Sequence, residues 1–200
     1  MLIKRFEEGD FLKILIETSA RHIHLSAKDF EILFGKNANP IMKKELSQPG
    51  QFVCVEKVDI IGAEDEIKNV AILGPFREQT QVEVSLTDTR KLGIAAPIRD
   101  SGDLNDTPGC TLVGPKGSLK LAQGVIVARR HIHLDTVSSL KFNLKAGQLV
   151  KVKILSEFRS LIFDSVRVCI GKNFFPAMHI DTDEANAAGI AASTYGEIII

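Results

Sequence analysis

The sequence predicts a mainly β protein with short helices, organised as two related small β-barrel domains that arise from an internal duplication. Three observations carry this reading. Thr18–Ser26, with the residues TSARHIHLS, returns as Val127–Asp135, VARRHIHLD, and Arg-His-Ile-His-Leu is identical in the two copies. Pro49-Gly50-Gln51-Phe52-Val53 opens one apolar alternating run, and Ala146-Gly147-Gln148-Leu149-Val150 opens another. Most of the rest falls into short runs rich in Val, Ile and Phe and bounded by Gly or Pro, the mark of strands.

The expected strands are Lys13–Glu17, Gln51–Val58, Lys68–Leu73, Gln81–Ser85, Leu149–Ile154 and Ser160–Val168. Ser26 followed by Asp29 caps a helix near Ala27–Phe34, which Gly35 stops. Asp135 can cap a matching helix near Thr136–Leu140. Asp181 or Thr182 can cap one across Asp183–Ala188, and Leu86–Leu92 before Gly93 is a fourth short helix. The first half spans residues 1–115 and the second 116–200, with the join near Gly114–Gly124 and the first strand free to swap into the other barrel.

Composition narrows the function classes. The 200 residues are 44% hydrophobic and 25% charged, so a core needs no staples. Lys+Arg and Asp+Glu both number 25, which disfavours nucleic acid or an anionic membrane as the main partner. An anionic small substrate would have to be held by local charge. Cys54, Cys110 and Cys169 are widely spaced and odd in number, which fits core residues in a reducing cytosol better than disulfides or a thiolate metal site. The N-terminal residues lack a signal-peptide run, and no stretch is long enough to span a bilayer. No G-x-G-x-x-G or P-loop is present.

All five histidines lie in three motifs. Residues i and i+2 of a strand share a face, so His22 and His24 aim two imidazoles at one point, as do His131 and His133. Such a pair is half of a tetrahedral zinc site. His179 sits in Met178-His179-Ile180-Asp181-Thr182-Asp183-Glu184, where a strand runs into a helix. A lone histidine is more often a satisfied core or surface residue, but a duplicated His-x-His favours metal. Five histidines fit two metals, or one metal with a flexible shell. Zinc is the default, although nickel, cobalt and copper also suit imidazole.

The Gly74–Ser85 segment adds anion chemistry. A Gly-Pro turn sets Arg77 on a loop, where its guanidinium fork can hold a phosphate or carboxylate. Gln79, Gln81 and Glu83 share one face of the following strand, with Glu83 as a metal ligand or base, or simply as part of a solvated polar face. Arg99-Asp100-Ser101-Gly102-Asp103 offers a hydroxyl and backbone N–H groups to an anion, though by composition it reads as a surface loop. Arg167 is an isolated charge in an apolar strand and needs a salt-bridge partner or a ligand.

In Ser19–Ser26, Gln48–Gln51, Leu73–Arg77 with Thr80–Ser85, Pro97–Asp103, Arg130–His133 and Met178–Asn186, the sequence resembles the PduL-type phosphotransacylases, or phosphate propanoyltransferases, over about Ile14–Gly189. The resemblance implies paired β-barrels, a dinuclear zinc site (or a similar divalent metal), and acyl transfer between coenzyme A and phosphate. It makes His22, His24, Glu83, His131, His133 and His179 metal ligands, Arg77 the phosphate-binding residue, and Arg77 and Glu83 the catalytic pair. It assigns coenzyme A contacts to Glu17, Thr18, Ser19 and Asn186, with Ser101 and Arg167 as further polar groups.

The resemblance further points to acetyl-CoA or propanoyl-CoA as the acyl donor and is compatible with a homodimer and an acyl-kinase pathway partner, while the cysteine usage points to a cytoplasmic location. Many microcompartment members carry an N-terminal targeting helix, and only about a dozen residues precede the first strand here. The family commonly reads Gly-Pro-Lys-Gly where this chain has Gly62-Ala63-Glu64-Asp65, and Val-Arg-Val where it has Val70-Ala71-Ile72. Both changes remove a positive charge. The competing readings are a dinuclear metal hydrolase that activates water with the same ligands, and a non-catalytic binding module stabilised by metal.

Overall fold

The computed structural model describes residues 12–190 and 193–200. The sequence readings on the signal peptide and targeting helix fall on residues outside that range. In chain order the elements are β1 (Leu12–Thr18), β2 (His22–His24), α1 (Ala27–Phe34), β3 (Met42–Glu45), β4 (Phe52–Ile61), β5 (Glu66–Gly74), β6 (Gln81–Glu83) and α2 (Leu86–Leu92). Then follow β7 (Ile98–Arg99), β8 (Thr111–Val113), β9 (Ser118–Lys120), β10 (Val125–Ala128), β11 (His131–Leu134) and α3 (Thr136–Phe142). The chain ends with β12 (Leu149–Ile154), β13 (Leu161–Ile170), β14 (Ala177–Ile180), α4 (Thr182–Ala188) and β15 (Ser193–Ile199). Among the described residues no helix is long and apolar enough to cross a membrane.

The chain forms two compact units. One contains Ser19–Arg129 with Asp181–Asp183; the other gathers β1, Arg130–Ile180 and the segment from Glu184 onward. The second unit is a closed six-stranded barrel in the order β1-β14-β11-β13-β12-β15. Its interior is filled by alternate residues such as Ile14, Ile16, Ile132, Leu134, Val166, Val168 and Met178. The same alternation turns Glu17, His131, His133, Arg167 and His179 to the outer face of the barrel.

The first unit is a nine-stranded sheet with the path β7-β10-β6-β2-β5-β4-β8-β9, and β3 pairs with β4 off that path. Ile23, Ile72, Val82, Val84, Phe30 and Leu33 belong to its core. Ser26 caps α1 by accepting the Asp29 N–H at 3.2 Å. Ser85 and Asp88 form a reciprocal capping box on α2, and Gly93 ends that helix at φ 65°, a left-handed conformation that glycine adopts freely. Gly62 packs so tightly on α2 that a Cβ there would lie 2.0 Å from the Leu92 carbonyl oxygen. The Glu64 N–H donates to that same oxygen at 3.2 Å, which fixes the turn carrying the altered Ala63-Glu64 pair.

Several element boundaries differ from the sequence reading, and among them β4 runs on to Ile61 and β13 to Ile170. Strand β6 ends at Glu83 because Ser85 leaves the ladder to cap α2. Gln79 precedes this strand and is exposed, so strand alternation does not place it with Gln81 and Glu83. Helix α3 runs on to Phe142, where Asn143 closes it at φ 52°.

Candidate metal and anion site

Strand β2 is the centre of the site in the sheet unit. It runs antiparallel to β6, with His22 opposite Glu83, Ile23 opposite Val82 and His24 opposite Gln81. Ile23 and Val82 are fully buried in the core, so His22, His24, Gln81 and Glu83 share the other face. His22 Nε2 lies 3.4 Å from Glu83 Oε2, and His24 Nε2 lies 3.8 Å from Glu83 Oε1. The Nδ1 of His22 is 2.9 Å from the Ala20 carbonyl oxygen, a bond that holds the ring with Nε2 toward Glu83.

The donor chemistry fits a divalent metal. One ligand atom from each of His22, His24 and Glu83 lies within 4.8 Å of the others. Two imidazoles and a carboxylate make three ligands, the set that leaves a position for substrate on zinc. The charges agree. Burial alone would lower the His22 pKa, but the Glu83 carboxylate outweighs it and raises it. His24 is pushed down to about 3 by burial, then by His22 and Arg77. Burial opposes the ionisation of Glu83, yet His22, His24 and Arg77 hold its carboxyl below the usual range. The pocket therefore concentrates a carboxylate and a neutral imidazole, both ready to coordinate.

Arg77 is brought to the same face by its loop. Its N–H donates to the Leu25 carbonyl at 3.0 Å, one residue beyond His24. Three residues later, Thr80 Oγ1 accepts the Ser26 N–H at 3.0 Å and donates to Asp29 Oδ2. The loop is thus tied at both ends to the exit of β2. Arg77 and His24 line one cavity of about 310 Å³, with Gly50, Gln51 and Pro75 among its walls. Arg77 Nη1 donates to Ser101 Oγ at 2.9 Å, so the Ser101 turn is an integral part of this cluster and more than a surface loop. The sequence marks Gln81 only as a polar neighbour of Glu83. Its two-residue spacing from Glu83 was the available signal.

The barrel unit carries the second histidine cluster. His131 lies opposite His179 on β14 and opposite Arg167 on β13. The His131 and His133 ring centroids are 4.6 Å apart, those of His131 and His179 5.3 Å, and those of His133 and His179 5.0 Å. Glu17, opposite His179 on β1, places Oε2 3.9 Å from His179 Nε2. Burial and then His131 lower the His133 pKa to about 4, which keeps its lone pair available. The His133 Nδ1 is buried and has no hydrogen-bond partner.

The remaining residues singled out by the sequence belong to both units, Thr18 and Asn186 to the barrel and Ser19 to the sheet. Thr18 Oγ1 is buried with no hydrogen-bond partner, and Ser19 Oγ lies 3.5 Å from His22 Nδ1. Asn186 is exposed on α4, where its carbonyl accepts from Arg159 Nη1 at 3.4 Å. Ala71, at a position commonly basic in the resembled family, lies opposite His22 on β5.

Comparison with known proteins is decisive for the class. The family model for phosphate propanoyltransferase matches residues 15–191. The chain belongs to the phosphate propanoyltransferase family. It is 45% identical to the phosphate propanoyltransferase of Enterococcus faecalis over 198 residues, 99% of this chain and 93% of that protein. It is 51% identical to that of Citrobacter koseri over 177 residues, 88% of this chain and 83% of the relative. Against that of Thermotoga maritima it is 47% identical over 175 residues, 88% and 83% of the two chains. Membership of the family makes the chain an acyltransferase.

Proposed function

We propose that the chain interconverts a short-chain acyl-CoA (acetyl- or propanoyl-CoA) plus phosphate with acyl phosphate plus coenzyme A. The observation that carries this is the shared cavity of Arg77 and His24, an arginine fork beside a three-ligand metal pocket. His22, His24 and Glu83 would hold one zinc ion, and His131, His133 and His179 a second. Zinc in such a site supplies Lewis-acid polarisation of a carbonyl oxygen.

The chain's own residues do the rest. The Arg77 guanidinium binds phosphate and orients an oxygen for attack on the thioester carbonyl carbon, which turns a bimolecular step into a positioned one. The C–S bond breaks and coenzyme A departs as thiolate. No thiol nucleophile is required. Cys54 and Cys110 are buried, and burial raises their pKa values to about 11 and about 12. Glu17, Thr18, Ser19, Asn186, Ser101 and Arg167 are the groups assigned to coenzyme A. The family resemblance supports them, together with the unpartnered Thr18 hydroxyl.

The test is thiol release from acetyl-CoA and propanoyl-CoA with and without phosphate, alongside metal analysis. Phosphate-dependent release with bound zinc is expected. Release that ignores phosphate would favour a hydrolase, and zinc binding with no release of thiol would favour a binding module.

A further inference from the structure

Gln81 is 1% exposed, yet neither the metal nor the phosphate role uses it. Its amide makes three hydrogen bonds. The Gly102 N–H donates to Oε1 at 2.7 Å. Because that partner can only donate, the atom facing it must be oxygen, and the orientation of the amide is settled. The NH2 group then faces Glu83 and Ser101. It donates to Glu83 Oε1 and, at 2.9 Å, to Ser101 Oγ.

Ser101 completes the connection. Its hydroxyl has one proton and two lone pairs. It accepts from Arg77 Nη1 and from Gln81 Nε2, and it donates to Glu83 Oε1 at 3.2 Å. All three valences are used inside the cluster. Glu83 Oε1 consequently receives two hydrogen bonds, whereas Oε2 is turned toward His22 Nε2.

We propose that Gln81 is a positioning residue that couples the two halves of the chemistry. By binding Oε1 it presents Glu83 to the metal through Oε2, and through Ser101 it fixes the angle at which Arg77 meets phosphate. The ligand identities rest on the acyl-transfer reading above; the linkage itself rests on the hydrogen bonds.

The experiment compares wild type, Gln81→Met, Ser101→Ala and Ser101→Thr. Zinc affinity is read by competition with a chromophoric chelator, and phosphate KM by thiol release. Gln81→Met keeps the side-chain volume and removes every hydrogen bond of the amide. It should weaken zinc binding about ten- to a hundredfold, the usual effect of losing a group that orients a ligand. It should also raise the phosphate KM about tenfold. Combined with Arg77→Ala it should raise that KM no further than Arg77→Ala alone, because Gln81 reaches phosphate only through the arginine. Ser101→Ala should raise phosphate KM and, because it removes only the longer of the two bonds to Glu83 Oε1, weaken zinc binding less than Gln81→Met does, and Ser101→Thr, which keeps the hydroxyl, should restore both.

Zinc affinity and phosphate KM both unchanged in Gln81→Met would overturn the proposal, as would independent effects of Gln81→Met and Arg77→Ala. If Gln81→Met does not fold, the serine pair decides, and an unchanged phosphate KM in Ser101→Ala refutes the coupling. A wild type that binds zinc but releases no thiol would sink the acyl-transfer reading, while the zinc comparison would still test Gln81.

Discussion

Arg77→Ala is the sharpest test of how phosphate is held. The guanidinium has five N–H donors, and the structure gives Nη1 to Ser101. A phosphate dianion can take two others as a parallel pair. Hydrogen bonds to charged groups contribute about 1.5–3 kcal/mol each, and the lower end suits a half-buried arginine. Losing two costs about 3 kcal/mol, or roughly 100-fold in phosphate KM. Stability should fall by less than about 1 kcal/mol, because the lost bond to Ser101 lies at an exposed turn. Arg77→Lys keeps the charge without the fork and should recover only about tenfold of the loss. The assay is thiol release across a phosphate titration at saturating acyl-CoA, with zinc content measured on the same samples. A phosphate KM that does not move would refute the reasoning. Loss of zinc together with activity would show instead that Arg77 supports the metal pocket.

Thr80→Val should destabilise the sheet unit by about 2 kcal/mol in urea unfolding, since it strands the Ser26 N–H and the Asp29 carboxylate at a buried position; Thr80→Ser should restore most of it. A Thr80→Val midpoint equal to wild type would show that the hydroxyl is dispensable. Chelation with EDTA should abolish thiol release without changing the far-ultraviolet circular dichroism of the β-structure, and added zinc should restore it; unfolding on chelation would indicate a structural metal. Burial raises the thiol pKa values of Cys54 and Cys110 to about 11 and about 12. Raising the pH through 9 therefore produces little thiolate at either, and peptide mapping after iodoacetamide treatment at pH 9 should find both labelled only in denaturant.

Much of the site was legible because its periodicity is local. His22 and His24, like His131 and His133, are two residues apart, and strand geometry alone puts each pair on one face. Two helices were legible for the same reason, since Ser26 and Asp135 cap them within three residues of themselves, whereas Ser85 reads as the end of a strand and caps α2 instead. What the sequence withheld depends on register between distant segments. Nothing local shows that Glu83 stands opposite His22, or that the Ser101 turn, 18 residues further on, donates to the same carboxylate. The shortest strands, β7 among them, have too few residues to show a period, and pairing with β10 defines that one. Gln79 does not share the Gln81 and Glu83 face because it precedes the ladder, where strand alternation no longer applies.

The duplication reaches further than the repeated pentapeptide. In each copy the first histidine faces its third partner on the antiparallel neighbouring strand, His22 facing Glu83 and His131 facing His179. Five residues after that partner comes an acid in the first turn of a helix, Asp88 in α2 and Glu184 in α4. Each acid binds the arginine that precedes its histidine pair: Arg21 Nη2 lies 2.7 Å from Asp88 Oδ1, and Arg130 Nη1 lies 2.7 Å from Glu184 Oε1. The repeated arginine thus fastens a short helix whose strand carries the third donor, which explains why it recurs beside residues that differ. The parallel neighbour breaks the symmetry. His131 faces Arg167 there, whereas His22 faces Ala71. With a small side chain at that position, the arginine that lines a cavity with His24 is Arg77, on a loop instead of a strand. The two copies thus share an arginine, two imidazoles and a third donor, and differ in two places: the third donor is a carboxylate opposite His22 and an imidazole opposite His131, and the parallel neighbour carries an arginine only opposite His131.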